Sequence, residues 1–228
     1  MTTFNASHHD QLHRALVDRI AGHLRPRRSL WPVRRRLALW LLLEIAVLLR
    51  TVTETRGNWA ARFASIPYTF EILFFAAAGL ILAAMALRAA IPGREARPWQ
   101  TVLAIVLAIS GIALLFVTPM RTDIPLSQFI SVGVVCVFFT CSKAALPLIA
   151  LWWAVRRGAP GNGRAAGAMV GSAAMLFSFA IMRIDCPLDE PLHLITWHLG
   201  PVIAVTVLSA VAGALWLRFP LRRHAVSY

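Results

Sequence analysis

The sequence predicts an all-α, polytopic membrane protein with six transmembrane helices, and three observations carry that prediction. The 228 residues are 58% hydrophobic and only 14% charged, with a mean hydropathy of +0.67. A soluble domain cannot keep that much apolar surface dry. The apolar residues gather into six runs, roughly 37–54, 67–90, 99–119, 136–156, 166–184 and 195–217, and a bilayer core requires about 20 residues per helix. The net charge of +13 lies almost wholly in arginines between the runs, with Lys143 the one lysine. That is the pattern of topology signals rather than of a nucleic-acid-binding face, so no direct nucleic-acid partner is expected.

Taken in order, the first run is interrupted by Glu44 and carries Arg50 near its end. The connectors are Arg56-Gly57-Asn58, Pro92-Gly93-Arg94, Pro119 to Pro125, Gly158 to Gly163, and a short acidic loop around Cys186. Most are rich in helix breakers, as helix ends should be. Gly163, Gly167 and Gly171, thickened by Ala168 and Ser172, form a small-residue ridge at the start of the fifth run that lets another helix approach closely.

Counting basic residues orients the chain. With the N-terminus in the cytoplasm, 17 of the 23 basic residues fall on the cytoplasmic side, from Arg14 to Arg36, then Arg88, Arg94, Arg97, Arg156, Arg157, Arg164, Arg218, Arg222 and Arg223. The opposite side holds Arg50, Arg56, Arg62, Arg121 and Arg183, diluted by Glu54, Asp123, Asp185, Asp189 and Glu190. The bias repeats at every turn and predicts an N-in, C-in protein with the Cys186 loop outside the cytoplasm. The organisation expected is a cytoplasmic segment over 1–35, a transmembrane domain over 36–218 and a basic cytoplasmic tail over 219–228. The first apolar run starts near Leu37 behind a long polar lead, so no cleavable signal peptide is expected.

In the N-terminal segment Leu12, Leu16, Ile20 and Leu24, with Val17 and Ala21, recur at helical spacing, and Arg14, Asp18 and Arg19 lie off the stripe. This predicts an amphipathic helix of about four turns. One reading lays it on the lipid surface, held by Arg25, Arg27 and Arg28. The other makes it a docking helix for a cytosolic partner, with Leu12, Leu16, Arg19, Ile20 and Leu24 as contact residues.

The chemistry-bearing residues are few. There is no CxxC, HExxH, P-loop or GxSxG pattern, and three cysteines do not make a disulfide framework. No cofactor is implied. Cys136 is placed at the outer end of the fourth run and Cys186 in the outer loop between the fifth and sixth, near one membrane surface in a compartment that permits thiol oxidation. Cys141 lies about 7 Å deeper. A Cys136–Cys186 disulfide, a shared soft-metal site and two unrelated thiols are all compatible with this placement. His193 and His198 follow the loop. Their spacing of five puts them about 140° apart on an α-helix, off a common face, which favours packing or hydrogen bonding over metal ligation. Glu44, Glu71 and Lys143 are ionisable groups inside the runs and should face the bundle interior. The depths of Glu71 and Lys143 suggest an intramembrane pair.

Three groups of residues carry a family resemblance. They are Leu16-Val17, Ile20-Ala21, Leu24-Arg25-Pro26, Leu30, Pro32 and Arg34-Arg35-Arg36; then Cys136 past Pro147 to Trp153 and Arg156-Arg157-Gly158-Ala159-Pro160; then Cys186-Pro187, Asp189, Pro191 and Trp197. In this order and spacing, across nearly the whole chain, they resemble the NrsF family, the negative regulators of sigma F. The resemblance implies an anti-sigma factor in a bacterial inner membrane that holds an extracytoplasmic-function sigma factor at its cytoplasmic face and releases it under oxidative or heavy-metal stress. It also implies two periplasmic sensing thiols, mapped to Cys186 and, by its distance to Arg156-Arg157, to Cys136, with Cys141 the alternative. Asp185, Pro187, Asp189, Pro191 and Trp197 form the sensor loop in this mapping. Metal at the two thiols would be captured transiently rather than held as a resident ion. Leu188, Glu190 and His198 depart from the usual pattern and should tune the loop.

Two other classes remain on sequence grounds. A small-molecule or metal-ion exporter would need a polar pathway, and the runs offer little beyond Glu44, Glu71 and Lys143, with no inverted repeat. A membrane thiol oxidoreductase would use the outer cysteines, but the absence of a CxxC weighs against it.

Overall fold

The computed structural model describes residues 10–11, 13–18, 30–54, 59–91, 98–115, 125–186 and 188–217. Residues 1–30 form one compact unit and 31–228 another. In the first, residues 10–11 and 13–18 are helical, with Leu16 and Val17 exposed. Leu12, Arg19, Ile20, Leu24 and the tail over 218–228 lie outside the described residues.

In the second unit the described residues contain helices and no strand. We number the long helices α1 (Val33–Glu54), α2 (Ile66–Ala89), α3 (Pro98–Leu115), α4 (Leu126–Arg156), α5 (Gly163–Asp185) and α6 (Pro191–Trp216). A single helical turn, Trp59–Arg62, stands before α2. Four of these, α2, α4, α5 and α6, are long and apolar enough to cross a membrane. The described part of α3 has a shorter apolar stretch, Val102–Leu115, and α1 carries Glu44, Arg50 and Glu54 along its second half.

α1 is built inside out relative to a helix of a soluble protein. Its buried residues are Arg36, Trp40, Glu44 and Thr51, while Leu39, Leu42, Ile45 and Leu49 are exposed. Its polar stripe faces the other helices, where buried polar groups can find partners. Arg36 uses that stripe to donate to the carbonyls of Ala154 and Leu87, each at 3.3 Å, near the C-terminal ends of α4 and α2. Such carbonyls lack intrahelical partners and carry the negative end of the helix dipole. One turn on, the Trp40 indole N–H donates to the Pro147 carbonyl in α4 at 3.1 Å.

α5 is the centre of the bundle. It starts at Asn162, whose side chain accepts from the Ala165 N–H at 3.0 Å, and it is buried along most of its length. Its glycine ridge meets α6 backbone to backbone. A Cβ on Gly167 would stand 2.1 Å from the Ser209 carbonyl oxygen, and one on Gly213 would stand 2.2 Å from that of Gly163. The ridge predicted from sequence is therefore a helix–helix seam, and it makes α5 and α6 antiparallel neighbours.

Two boundaries differ from expectation. α4 starts at Leu126, ten residues before the predicted run, so Cys136 lies within the helix and not at its end. Ser127, Gln128 and Ser131 lower the hydropathy of that stretch without breaking the helix, and Pro125 precedes it. At about 1.5 Å per residue, the 31 residues of α4 exceed a hydrocarbon core of about 30 Å. α6 is not uniform either: Leu194–Leu199 is π-helical, with the Gly200 N–H bonded to the Ile195 carbonyl. Pro201 explains it. Lacking an N–H, and with a ring that displaces the carbonyl four residues back, Pro201 opens the preceding turn.

Candidate functional site

The site lies where α4, the end of α5 and the start of α6 meet. Cys136 faces inward from α4, and Cys186 is the residue that ends α5. Their sulfurs are 3.7 Å apart, and both side chains are buried. Cys141 is half-buried and packs with a different cluster, so Cys136 is the thiol beside Cys186. Met182, Val132 and Leu188 enclose the two sulfurs. One turn below, the Thr140 hydroxyl donates to the Cys136 carbonyl at 2.7 Å, and the Ser178 hydroxyl donates to the Thr140 carbonyl at 2.6 Å, pinning α4 to α5.

His193 and His198 join this pair, which corrects the expectation that they do not share a face. In a π-helix the bonded neighbours are i and i+5, so five residues bring a side chain back to the same side. The ring centroids are 5.3 Å apart, and both residues are 0% exposed. His193 Nε2 is 3.5 Å from the Cys186 sulfur. The four ligand atoms of Cys136, Cys186, His193 and His198 lie within 4.8 Å of one another. His193 Nδ1 and both ring nitrogens of His198 have no hydrogen-bond partner among the described residues. A residue set of this kind can hold a thiophilic metal ion. The sequence signal that would have revealed it is Gly200-Pro201 inside an apolar run.

Trp197, partly buried, covers the site from the α4 side. Its ring occupies the space a side chain at Gly133 would need, since a Cβ there would stand 2.2 Å from the indole. Phe129 packs edgewise on His193 and at a tilt on Trp197, at 6.1 and 5.7 Å between ring centroids. Pro191, buried, begins α6, where its missing N–H and fixed φ suit a first helical turn.

An ion network straps the loop to the helices. The Arg183 guanidinium, 1% exposed, donates to both oxygens of Glu71 at 2.6 and 3.2 Å and to Asp189 at 2.8 Å. Arg62 donates to the Cys186 carbonyl at 2.8 Å and pairs with Asp189. Lys143 pairs with Asp185 at 3.0 Å and reaches the Met182 sulfur at 3.6 Å. The expected Glu71–Lys143 pair is thus replaced by Glu71–Arg183 and Lys143–Asp185. The reason is that α5 lies between α2 and α4 and supplies its own charges to each side. Glu44 stays apart, buried in α1 with neither oxygen partnered among the described residues. Pro187 lies outside the described residues.

The environment distinguishes the two thiols. A hydrogen bond from Cys136, with further contributions from His193 and His198, pulls the Cys186 thiol well below its usual range against the opposing effect of burial.

No curated protein and no solved structure matches the chain. The family model of NrsF, negative regulator of sigma F, matches residues 20–219. That span takes in every long helix and all four residues of the cluster, so the chain belongs to the NrsF family of negative regulators of sigma F.

Proposed function

We propose that this protein is a six-span, N-in and C-in anti-sigma factor of a bacterial inner membrane. It sequesters an extracytoplasmic-function sigma factor on its cytoplasmic face, and it releases that factor when the thiols at the Cys186 loop are modified. Membership of the family supports negative regulation of a sigma factor. The observation that carries the sensing role is the 3.7 Å approach of the Cys136 and Cys186 sulfurs beneath a loop anchored by Arg62 and Arg183.

The loop cannot move alone. Arg62 holds its backbone at Cys186, and Arg183 joins Asp189 in the loop to Glu71 in α2. A bond formed or broken at the sulfurs therefore acts on α2, α4, α5 and α6 together. Such a stimulus works only through its different affinity for two packings of the helices. A swing from 1:99 to 99:1 needs about 5.5 kcal/mol. The output surface includes the N-terminal segment, with Leu12, Leu16, Arg19, Ile20 and Leu24 as contact residues.

The test is retention of the co-purified sigma factor after oxidant or cadmium treatment. Wild type releases it, whereas Cys136→Ser and Cys186→Ser retain it and Cys141→Ser behaves as wild type. Release from both serine variants would reject the thiol-sensing mechanism. Deleting residues 1–30 abolishes capture if the docking role is right.

A further inference from the structure

We propose that Cys136, Cys186, His193 and His198 form a closed, four-ligand site for one divalent cation of the zinc class. The inference deepens the sensor reading of the same residues, and it depends on that reading only for its regulatory consequence.

Geometry is the first argument. Zn–S bonds of about 2.3 Å and Zn–N bonds of about 2.0–2.1 Å give a tetrahedron with edges of about 3.8 Å between sulfurs and about 3.6 Å between sulfur and nitrogen. The structure has 3.7 Å between the sulfurs and 3.5 Å from the Cys186 sulfur to His193 Nε2. A tetrahedral set of two sulfurs and two nitrogens is the set that selects zinc.

The second argument is the state of the imidazoles. Three of their four ring nitrogens lack a hydrogen-bond partner among the described residues, and both rings are fully buried. Leaving a buried polar atom unsatisfied costs about 1–3 kcal/mol, so two such rings on one face are an expensive arrangement unless they serve a ligand. The π-helical turn that brings them together is an irregularity of the kind that occurs at functional sites.

Charge is the third argument. Two thiolates and two neutral imidazoles around a divalent ion sum to zero. The ion pairs around the cluster cancel among themselves, Arg183 and Arg62 against Glu71 and Asp189 and Lys143 against Asp185, and the buried Glu190 carboxyl beside them supplies no positive charge. A divalent ion leaves the four-ligand set itself neutral, whereas a monovalent ion would leave it negative and away from water. Capture balances as two S–metal and two N–metal bonds formed and the ion's bonds to its hydration waters broken, with those waters and the thiol protons released to solvent.

The test uses reduced, metal-free, full-length protein in detergent micelles, titrated with Zn²⁺ against a chromophoric chelator and with Co²⁺ as a spectroscopic surrogate. One ion binds per chain, with the ligand-field and thiolate charge-transfer bands of a tetrahedral site. Cys136→Ser, Cys186→Ser, His193→Asn and His198→Asn each lose at least tenfold in affinity, and Cys141→Ser loses none. Wild-type affinity in both asparagine variants, or an octahedral cobalt spectrum, overturns the proposal. Should a variant fail to fold, X-ray absorption of the zinc-loaded wild type decides: two sulfurs and two nitrogens uphold the site, and any other count rejects it. Assaying sigma retention on the same preparations separates the two claims. Zinc binding, with the sigma factor retained under zinc, cadmium and oxidant alike, leaves the site and rejects the sensor reading. Oxidant-driven release without metal binding rejects the site and leaves the sensor.

Discussion

The two ends of the α5–α6 pair are built by opposite rules. At the Gly163–Gly213 end, backbone lies on backbone, and a single added Cβ on Gly167 would collide with the Ser209 carbonyl. At the Cys186 end, the same helices are joined through a loop, a π-helical turn and an ion network, and beside them lie two thiols and two imidazoles, three of whose ring nitrogens lack a hydrogen-bond partner among the described residues. Close packing is stiff because every displacement loses contacts. A cluster of ligand groups has more than one arrangement of comparable energy, set by what binds it. Under the proposed function the first end is the pivot and the second is the input.

Breaking the pivot should have the largest effect. Gly167→Leu forces α5 and α6 apart along the whole seam, and little monodisperse protein should survive extraction, as read by size-exclusion chromatography. Normal yield and an unchanged melting curve would mean that the seam is not the fixed end.

Next comes the ion network that ties the input end to α2. Glu71→Ala leaves the Arg183 charge buried with only Asp189 for a partner, an expected loss of about 3–5 kcal/mol by denaturation in micelles. Glu71→Leu combined with Arg183→Met should lose less than Glu71→Ala alone, because no unpaired charge remains. A loss under about 1 kcal/mol in Glu71→Ala would show that Asp189 alone suffices.

Gly133→Ala sharpens the comparison from the other side. The new methyl displaces the Trp197 ring and with it the π-helical turn, at a cost of about 1–3 kcal/mol. Because the imidazoles ride on that turn, zinc affinity should fall with stability. Equal affinity in wild type and variant would uncouple Trp197 from the cluster.

The smallest effect belongs to α1. Trp40→Phe removes the donor to the Pro147 carbonyl while keeping an aromatic ring against Phe177. It should cost about 1 kcal/mol and leave metal binding unchanged. A change in affinity would extend the responsive region into α1.

Much of this architecture is legible in the sequence. Apolar runs and breaker-rich connectors locate six helices, because the cost of exposing backbone polar groups to lipid leaves helix as the local solution. The glycine ridge announces a close seam, since only residues without bulk permit that approach. Counting spans puts Cys136 and Cys186 toward one membrane surface, the resemblance to the NrsF family singles out the pair, and the structure brings their sulfurs to 3.7 Å.

Other features are not legible there, for two physical reasons. Which charges pair depends on which helices are neighbours: with α5 at the centre, Arg183 reaches Glu71 and Lys143 reaches Asp185, and no local pattern encodes that order. Side-chain direction, in turn, depends on helix type. An α-helical spacing rule sends His193 and His198 apart, while the turn opened ahead of Pro201 returns them to one side. Local propensity and hydropathy thus determined the helices and the seam of this protein. Only the tertiary structure decided which charges are partners and that two histidines complete the cluster, because both depend on contacts between residues far apart in the chain and on a break in regular helical geometry.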